Sequence, residues 1–244
     1  MGHGDYGSKK LVKKASEEIL EIIKPGDIVN QDLKTKWYEF WLKIGFWGIK
    51  TYQKDLFGKK SNWQDSHTMM FFNERNTFSV ELPKAKFKPI QEYCLSDMSI
   101  YRCKLMEMTP EYIDSMMDTA KRMLGSDYDI GQLLDIALRQ ILGYSQHRKV
   151  RFFDFGKKKK VCSVGARVCY EHLYMKKIKP SLDNPPRGKW LFHSVYADKW
   201  SEKFANNYKG TDVEATAPAH FANTDYFQNE FELIAKFDNG HRTA

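Results

Sequence analysis

The chain has no run approaching the roughly 18–20 apolar residues that a membrane-spanning helix needs, which excludes such a helix. Its first residues, Met1 to Tyr6, lack the charged and apolar regions of a secretory signal. Gly2 is present, but position 6 is Tyr6 where myristoylation favours Ser or Thr. The expectation is cytoplasmic synthesis without a signal peptide, with incorporation in a virion or delivery by another route as the alternatives. The four cysteines, Cys94, Cys103, Cys162 and Cys169, include no Cys-x-x-Cys pair, which argues against a zinc site. On one helix Cys162 and Cys169 would lie about 10 Å apart, too far for a disulfide between them. Reduced thiols are expected, and no metal or cofactor.

Nor does any repeat or low-complexity linker divide the 244 residues, enough for one sizeable core. Hydrophobic residues make up 42% and aromatics 14%, the balance of a globular chain. The net charge of +8 suits an acidic partner surface, but the lysines are scattered. The one dense run, Lys157 to Lys160, is short and reads as a solvated turn, so nucleic acid is not expected as a partner.

Residues Lys10 to Ile23 carry a helical stripe of Leu11, Val12, Ala15, Ile19, Leu20 and Ile23, stopped by Lys24-Pro25-Gly26. Asp27-Ile28-Val29 then opens an extended segment. The aromatic stretch from Trp37 to Trp47 is either a core insertion or a docking surface for an assembly partner. Ser66–Phe72 and Thr77–Leu82 read as a β-hairpin, with further strands at Phe87–Cys94, Ser99–Met108, Val150–Phe155 and Phe231–Phe237. Thr109-Pro110 starts a helix ending at Gly125, a second runs from near Tyr128 to Gly143, and a third begins at Cys162 and reaches about Lys176. Pro180 to Gly188 reads as a loop. The order is α+β. Residues 1–24 form an N-terminal helix, and 25–240 one domain with an aromatic insertion at about 30–64.

His67 and Cys162 carry the candidate chemistry. A thiol beside an imidazole is the minimum equipment for nucleophilic acyl chemistry. A three-residue turn at Asn73-Glu74-Arg75 would pair Phe72 with Asn76 and set His67 opposite Glu81, with β-carbons about 5 Å apart. A two-residue turn would put them on opposite faces. Cys162 follows the basic run and opens a helix, where unsatisfied N–H groups and the dipole favour a thiolate. Ser163, Gly165 and Ala166 are small enough to let the helix start approach a sheet. Cys169, Cys94 and Cys103 read as structural.

Gly26-Asp27-Ile28-Val29, then Ser66-His67-Thr68, Glu81, and Val161-Cys162-Ser163 opening a helix resemble the circularly permuted NlpC-type papain-like family, the YiiX/YaeF group. That group is related in topology to lecithin:retinol acyltransferase. Ala215-Thr216-Ala217-Pro218-Ala219-His220-Phe221-Ala222-Asn223 is similar to its Thr-Pro segment ahead of the last strand. The resemblance spans roughly residues 20–237 and implies a permuted papain-like fold, an antiparallel sheet or small barrel packed against the nucleophile helix. It implies Cys162 as nucleophile, His67 as general base and Glu81 as orienting residue, with main-chain N–H groups near Cys162 forming part of an oxyanion hole and Ser163 close to the substrate. Tyr128 falls where the group has a tyrosine near its pocket, and equally where a helix-start aromatic would pack on the core.

Three functions follow as expectations. The first is a thiol peptidase or amidase acting on a peptide or cell-wall isopeptide bond. The second is an acyltransferase or lipid-acting thiol enzyme. The third is a non-catalytic structural or binding module, such as a virion or secretion-assembly component.

Overall fold

The structure, a computed structural model, describes residues 9–33, 40–58, 63–104, 106–142, 161–178, 180, 216–222 and 231–244. The expected strand at 150–155, the Lys157 to Lys160 turn and all but the first residue of the expected 180–188 loop lie outside them.

The described residues form an α+β arrangement of seven strands and six α-helices. The strands are β1 (Ile28–Gln31), β2 (His67–Asn73), β3 (Asn76–Val80), β4 (Ala85–Lys88), β5 (Met98–Cys103), β6 (Phe231–Asp238) and β7 (His241–Arg242). They make one sheet in the order β4-β3-β2-β1-β5-β6-β7, with every neighbouring pair antiparallel. The helices are α1 (Lys9–Leu20), α2 (Phe40–Phe57), α3 (Pro110–Met123), α4 (Ile130–Leu142), α5 (Cys162–Leu173) and α6 (Ala219–Ala222). Among them no helix is long and apolar enough to cross a membrane.

Both faces of the sheet are covered, which is why β2 is buried along six successive residues and does not alternate apolar with polar. Met70 and Phe72, with Ile28, Phe78 and Val80, face the larger cluster built with Val164, Ala166 and Cys169 of α5, Met116 of α3 and Leu133 of α4. Met69 and Phe71, with Val29, Ile100 and Phe237, face a second cluster closed by Ala15 and Ile19 of α1. The N-terminal helix is therefore packed on the sheet.

The helix starts follow local chemistry. Thr109 caps α3 by accepting from the Tyr112 N–H at 3.3 Å, with Pro110 in the first turn. Asp129 accepts from the Gln132 N–H at 2.9 Å ahead of α4. The aromatic segment is a helix where it is described. Phe46, Ile49 and Tyr52 of α2 are buried, while Trp47 is 49% exposed. α2 lies tightly on α4: a Cβ at Gly48 would come within 2.6 Å of the Ala137 Cα.

Two expected strands are shorter than the sequence suggests. The one over Phe87–Cys94 stops at Lys88, because Pro89 cannot donate to a ladder and the chain turns into a 3₁₀ helix at Ile90–Glu92. The one over Ser99–Met108 stops at Cys103, ahead of the α3 cap.

The start of α5 depends on Gly165. A Cβ there would meet Val80 Cγ2 at 2.5 Å and Phe78 at 3.3 Å. Gly165→Ala is expected to push α5 off β3 and destabilise the chain by about 1–3 kcal/mol, read by thermal unfolding. An unchanged midpoint would show that the helix moves freely here.

Candidate active site

The hairpin turn is two residues long, Glu74-Arg75, so turn length alone would separate His67 from Glu81. A bulge between Phe71 and Asn73 shifts the register, and from Phe71↔Thr77 and Met69↔Ser79 onward the pairing is the one that faces His67 toward Glu81. The expected juxtaposition is met, by a bulge instead of a three-residue turn.

His67 begins β2 beside Gln31 of β1. Its Nε2 lies 2.8 Å from the Ser79 hydroxyl. That leaves Nδ1 as the nitrogen for Cys162, whose thiol is hydrogen-bonded to the imidazole. The direct partner of the ring is therefore Ser79, and Glu81 acts on it as a charge. Glu81, just past β3, holds Lys86 at 2.8 Å and Lys88 at 3.1 Å. Burial raises its carboxyl, but the His67 charge, Lys86 and Lys88 together hold it below the usual carboxylate range.

Cys162 is the first residue of α5. The residue before it, Val161, has extended backbone and no capping side chain. The first-turn N–H groups are thus not taken by a side-chain cap. Burial pushes the Cys162 thiol up; the charge and hydrogen bond of His67, then the main-chain N–H groups of Thr68 and Ser163, overcome it and bring the thiol below its ordinary value. Burial likewise lowers the His67 imidazolium, and the Cys162 charge and hydrogen bond, with Glu81, outweigh it and raise it. Each group thus favours the charged form of the other, and both are 2% exposed.

The remaining cysteines behave differently under the same burial. All four are free and buried. Burial pushes Cys94 up to about 11 and raises Cys169 further, with no partner charge to reverse it. Only Cys162 among these three is lowered.

Tyr128 is buried and hydrogen-bonded to Cys162. Burial first, then the Cys162 charge, keeps its phenol well above its ordinary value and so neutral. It lies beside the thiol and is also part of the larger core cluster. The Ser163 hydroxyl donates to the Thr216 carbonyl at 2.5 Å, so its main-chain N–H is what it turns to the sulfur.

The segment 216–222 packs over this helix start. Arg167 Nη1 donates to the Thr216 hydroxyl at 2.7 Å, and Asn30 Nδ2 to the Pro218 carbonyl at 2.8 Å. The Thr68 hydroxyl donates to Asn30 Oδ1 at 2.8 Å, and the Ala219 N–H to Gln53 Oε1 at 2.7 Å. This segment thereby links α5, β1, β2 and α2. Among the described residues no group of three His, Cys, Asp or Glu side chains is placed to hold a metal ion.

Sequence reasoning missed Ser79. Ser79 shares the His67 face by the parity that selects Glu81, so that signal was present.

An antiparallel α+β sheet with a buried cysteine–histidine pair at a helix start is what fold and site define together. No family model matches the chain, and no curated protein matches it. Among solved structures it is similar to the metalloprotein YiiX, DUF1105, from Escherichia coli O157:H7, at 17% identity and a TM-score of 0.43, over 88% of this chain and 98% of that one.

Proposed function

We propose that the chain is a cysteine hydrolase of the circularly permuted NlpC-type papain-like kind, cleaving an amide or peptide bond through Cys162 and His67. The observation that carries this reading is the opposed shift of the two groups: a thiol lowered and an imidazole raised by each other inside a buried site. A structural cysteine under equal burial goes the other way, as Cys169 does. The histidine-first chain order supports the permuted assignment.

In this mechanism the Cys162 thiolate attacks the carbonyl carbon and forms a tetrahedral oxyanion. N–H groups at the start of α5 and the neutral Tyr128 phenol are the donors nearest to that charge. The imidazolium gives its proton to the leaving amine as the C–N bond breaks, leaving an acyl-thioester on Cys162 and a neutral His67. A water molecule, deprotonated by His67, then attacks the thioester; the acid departs and the thiolate–imidazolium pair is restored.

Peptides, cell-wall fragments and acyl lipids, offered separately to the full chain and to Cys162→Ala, test the reading. Release of a new amine and a new acid by the native chain, lost in Cys162→Ala, is the expected result. Full turnover by Cys162→Ala would overturn it. An acyl group recovered on an added acceptor instead of water would assign a transferase.

A further inference from the structure

The end of α5 away from Cys162 borders a second cavity, of about 560 Å³, within the range of small-molecule sites. It lies between the Lys24-Pro25-Gly26-Asp27 turn ahead of β1, the end of β5 and the start of α3. Tyr170, which borders it, is the eighth residue after Cys162, about 12 Å along the helix axis. Its hydroxyl donates to the Gly26 carbonyl at 2.6 Å, and so fixes the turn to α5. Two of the lining charges cancel each other. The Asp27 carboxylate, 2% exposed, accepts from Arg102 Nε at 2.9 Å, from Arg102 Nη2 at 2.7 Å and from the Lys24 N–H at 2.8 Å. The walls are apolar: Met106, Met108 and Ile113 line the cavity and pack against the larger core cluster. Unbranched thioether side chains adapt to ligands of different outline.

The remaining charges are Lys24 on one side of the balance and Glu107 and Asp114 on the other, all three exposed. Among the described residues neither carboxylate has a cation for a partner, whereas Glu111 nearby in the chain is held by Lys177 at 2.7 Å. One lysine against two carboxylates makes the mouth negative, on a chain whose net charge is +8. We propose that this cavity binds an organic amine with an apolar body, the body among Met106, Met108 and Ile113 and the ammonium beside Glu107 and Asp114. A carboxylic acid of the same shape would meet two like charges at the mouth, with Arg102 already held by Asp27. The site makes no use of the thiol chemistry, so the failure of either reading leaves the other standing.

Two fluorescent probes test it: a dansyl group on a short alkyl chain ending in a primary amine, and the same group and chain ending in a carboxylate. Entry of the dansyl group into an apolar cavity raises its emission and shifts it to the blue, and titration with the full chain reads the affinity. The amine is expected to bind about tenfold more tightly than the acid, a ratio within reach of two exposed ion pairs. Glu107→Gln/Asp114→Asn changes two exposed side chains and is expected to bring the two affinities together by weakening the amine. Met108→Trp fills the cavity and is expected to abolish the emission change for both probes, with a thermal melt showing that the variant is folded. Equal affinities in the native chain, or a preference for the acid, would overturn the amine assignment. No emission change with the native chain, or an undiminished one in folded Met108→Trp, would overturn the cavity as a site. If Met108→Trp does not fold, the double variant decides: an unchanged amine preference places the amine elsewhere and overturns the proposal.

Discussion

His67→Ala is expected to remove the acid reactivity of Cys162 and to lower turnover of any amide or ester substrate by about a hundred- to ten-thousand-fold. The sign follows from the two shifts. The thiol is lowered, so its thiolate exists above its folded value and is lost as pH falls through it. The imidazole is raised, so its charge exists below its folded value and is lost as pH rises through it. Each charged form is favoured by the other, so the two titrations move toward a common range. Without His67 the largest opposing influence left on the thiol is burial, which raises it. An ordinary thiol is only about 0.3% ionised at pH 6. A depressed thiolate is intrinsically less nucleophilic, so the loss in alkylation at that pH is smaller than the loss of thiolate. The shape is the sharper criterion. The variant should gain rate about tenfold per pH unit through the acid range, where the native chain, its thiol lowered, should rise less steeply. Parallel profiles for the two would end the pairing of these residues.

How much of this site was legible in the chain differs from residue to residue. The helix start at Cys162 could be read because small residues and a cysteine at an uncapped first turn are local signals. The strand of His67 could be read because β2, buried on both faces, is a continuous apolar run. The pairing with Glu81 came out as expected although the turn did not, since a bulge in β2 restores the register that the two-residue turn would have shifted. A bulge leaves no residue signature in Phe71-Phe72-Asn73, so its presence could not be foreseen. The turn after Pro89 was out of reach for a different reason: its path is decided by packing of Ile90 and Tyr93 under α1, which is tertiary. The helix over 40–57 was obscured by Gly45 and Gly48, which look like breakers in isolation. They are there because Leu133 and Ala137 of α4 leave no room for a side chain. Gly165 answers to the same steric demand against Val80, and there the small-residue run at the Cys162 helix had announced it.

The second large effect concerns what holds the Cys162 helix in place. Arg167 and Glu171 are a turn apart on α5, both buried, with Nε and Oε1 3.2 Å apart. The same guanidinium reaches Thr216 at 2.7 Å, and Thr216 in turn accepts from Ser163 at 2.5 Å, next to the thiol. Arg167→Ala would leave the Glu171 carboxylate buried without its cation, which costs about 3–5 kcal/mol in comparable cases. For a chain of this size that corresponds to a drop in the unfolding midpoint on the order of 10 °C. Arg167→Met/Glu171→Met replaces both charges with flexible apolar side chains and is expected to recover most of that loss, since a buried pair is worth little against a well-packed substitute. The two variants divide stability from function. If the link through Thr216 only braces the fold, the double variant regains both its midpoint and its acid-range alkylation of Cys162. If the link also sets the thiol, the double variant melts like the native chain yet labels more slowly at pH 6. The contacts favour the second outcome. Segment 216–222 is tied to β1 through Asn30, Asn30 is tied to Thr68, and the Thr68 N–H is one of the donors that lower the thiol. Removing Arg167 slackens a closed loop of hydrogen bonds with Cys162 inside it. An Arg167→Ala chain with an unchanged midpoint would show instead that Glu171 finds another partner, and would release Arg167 from this role.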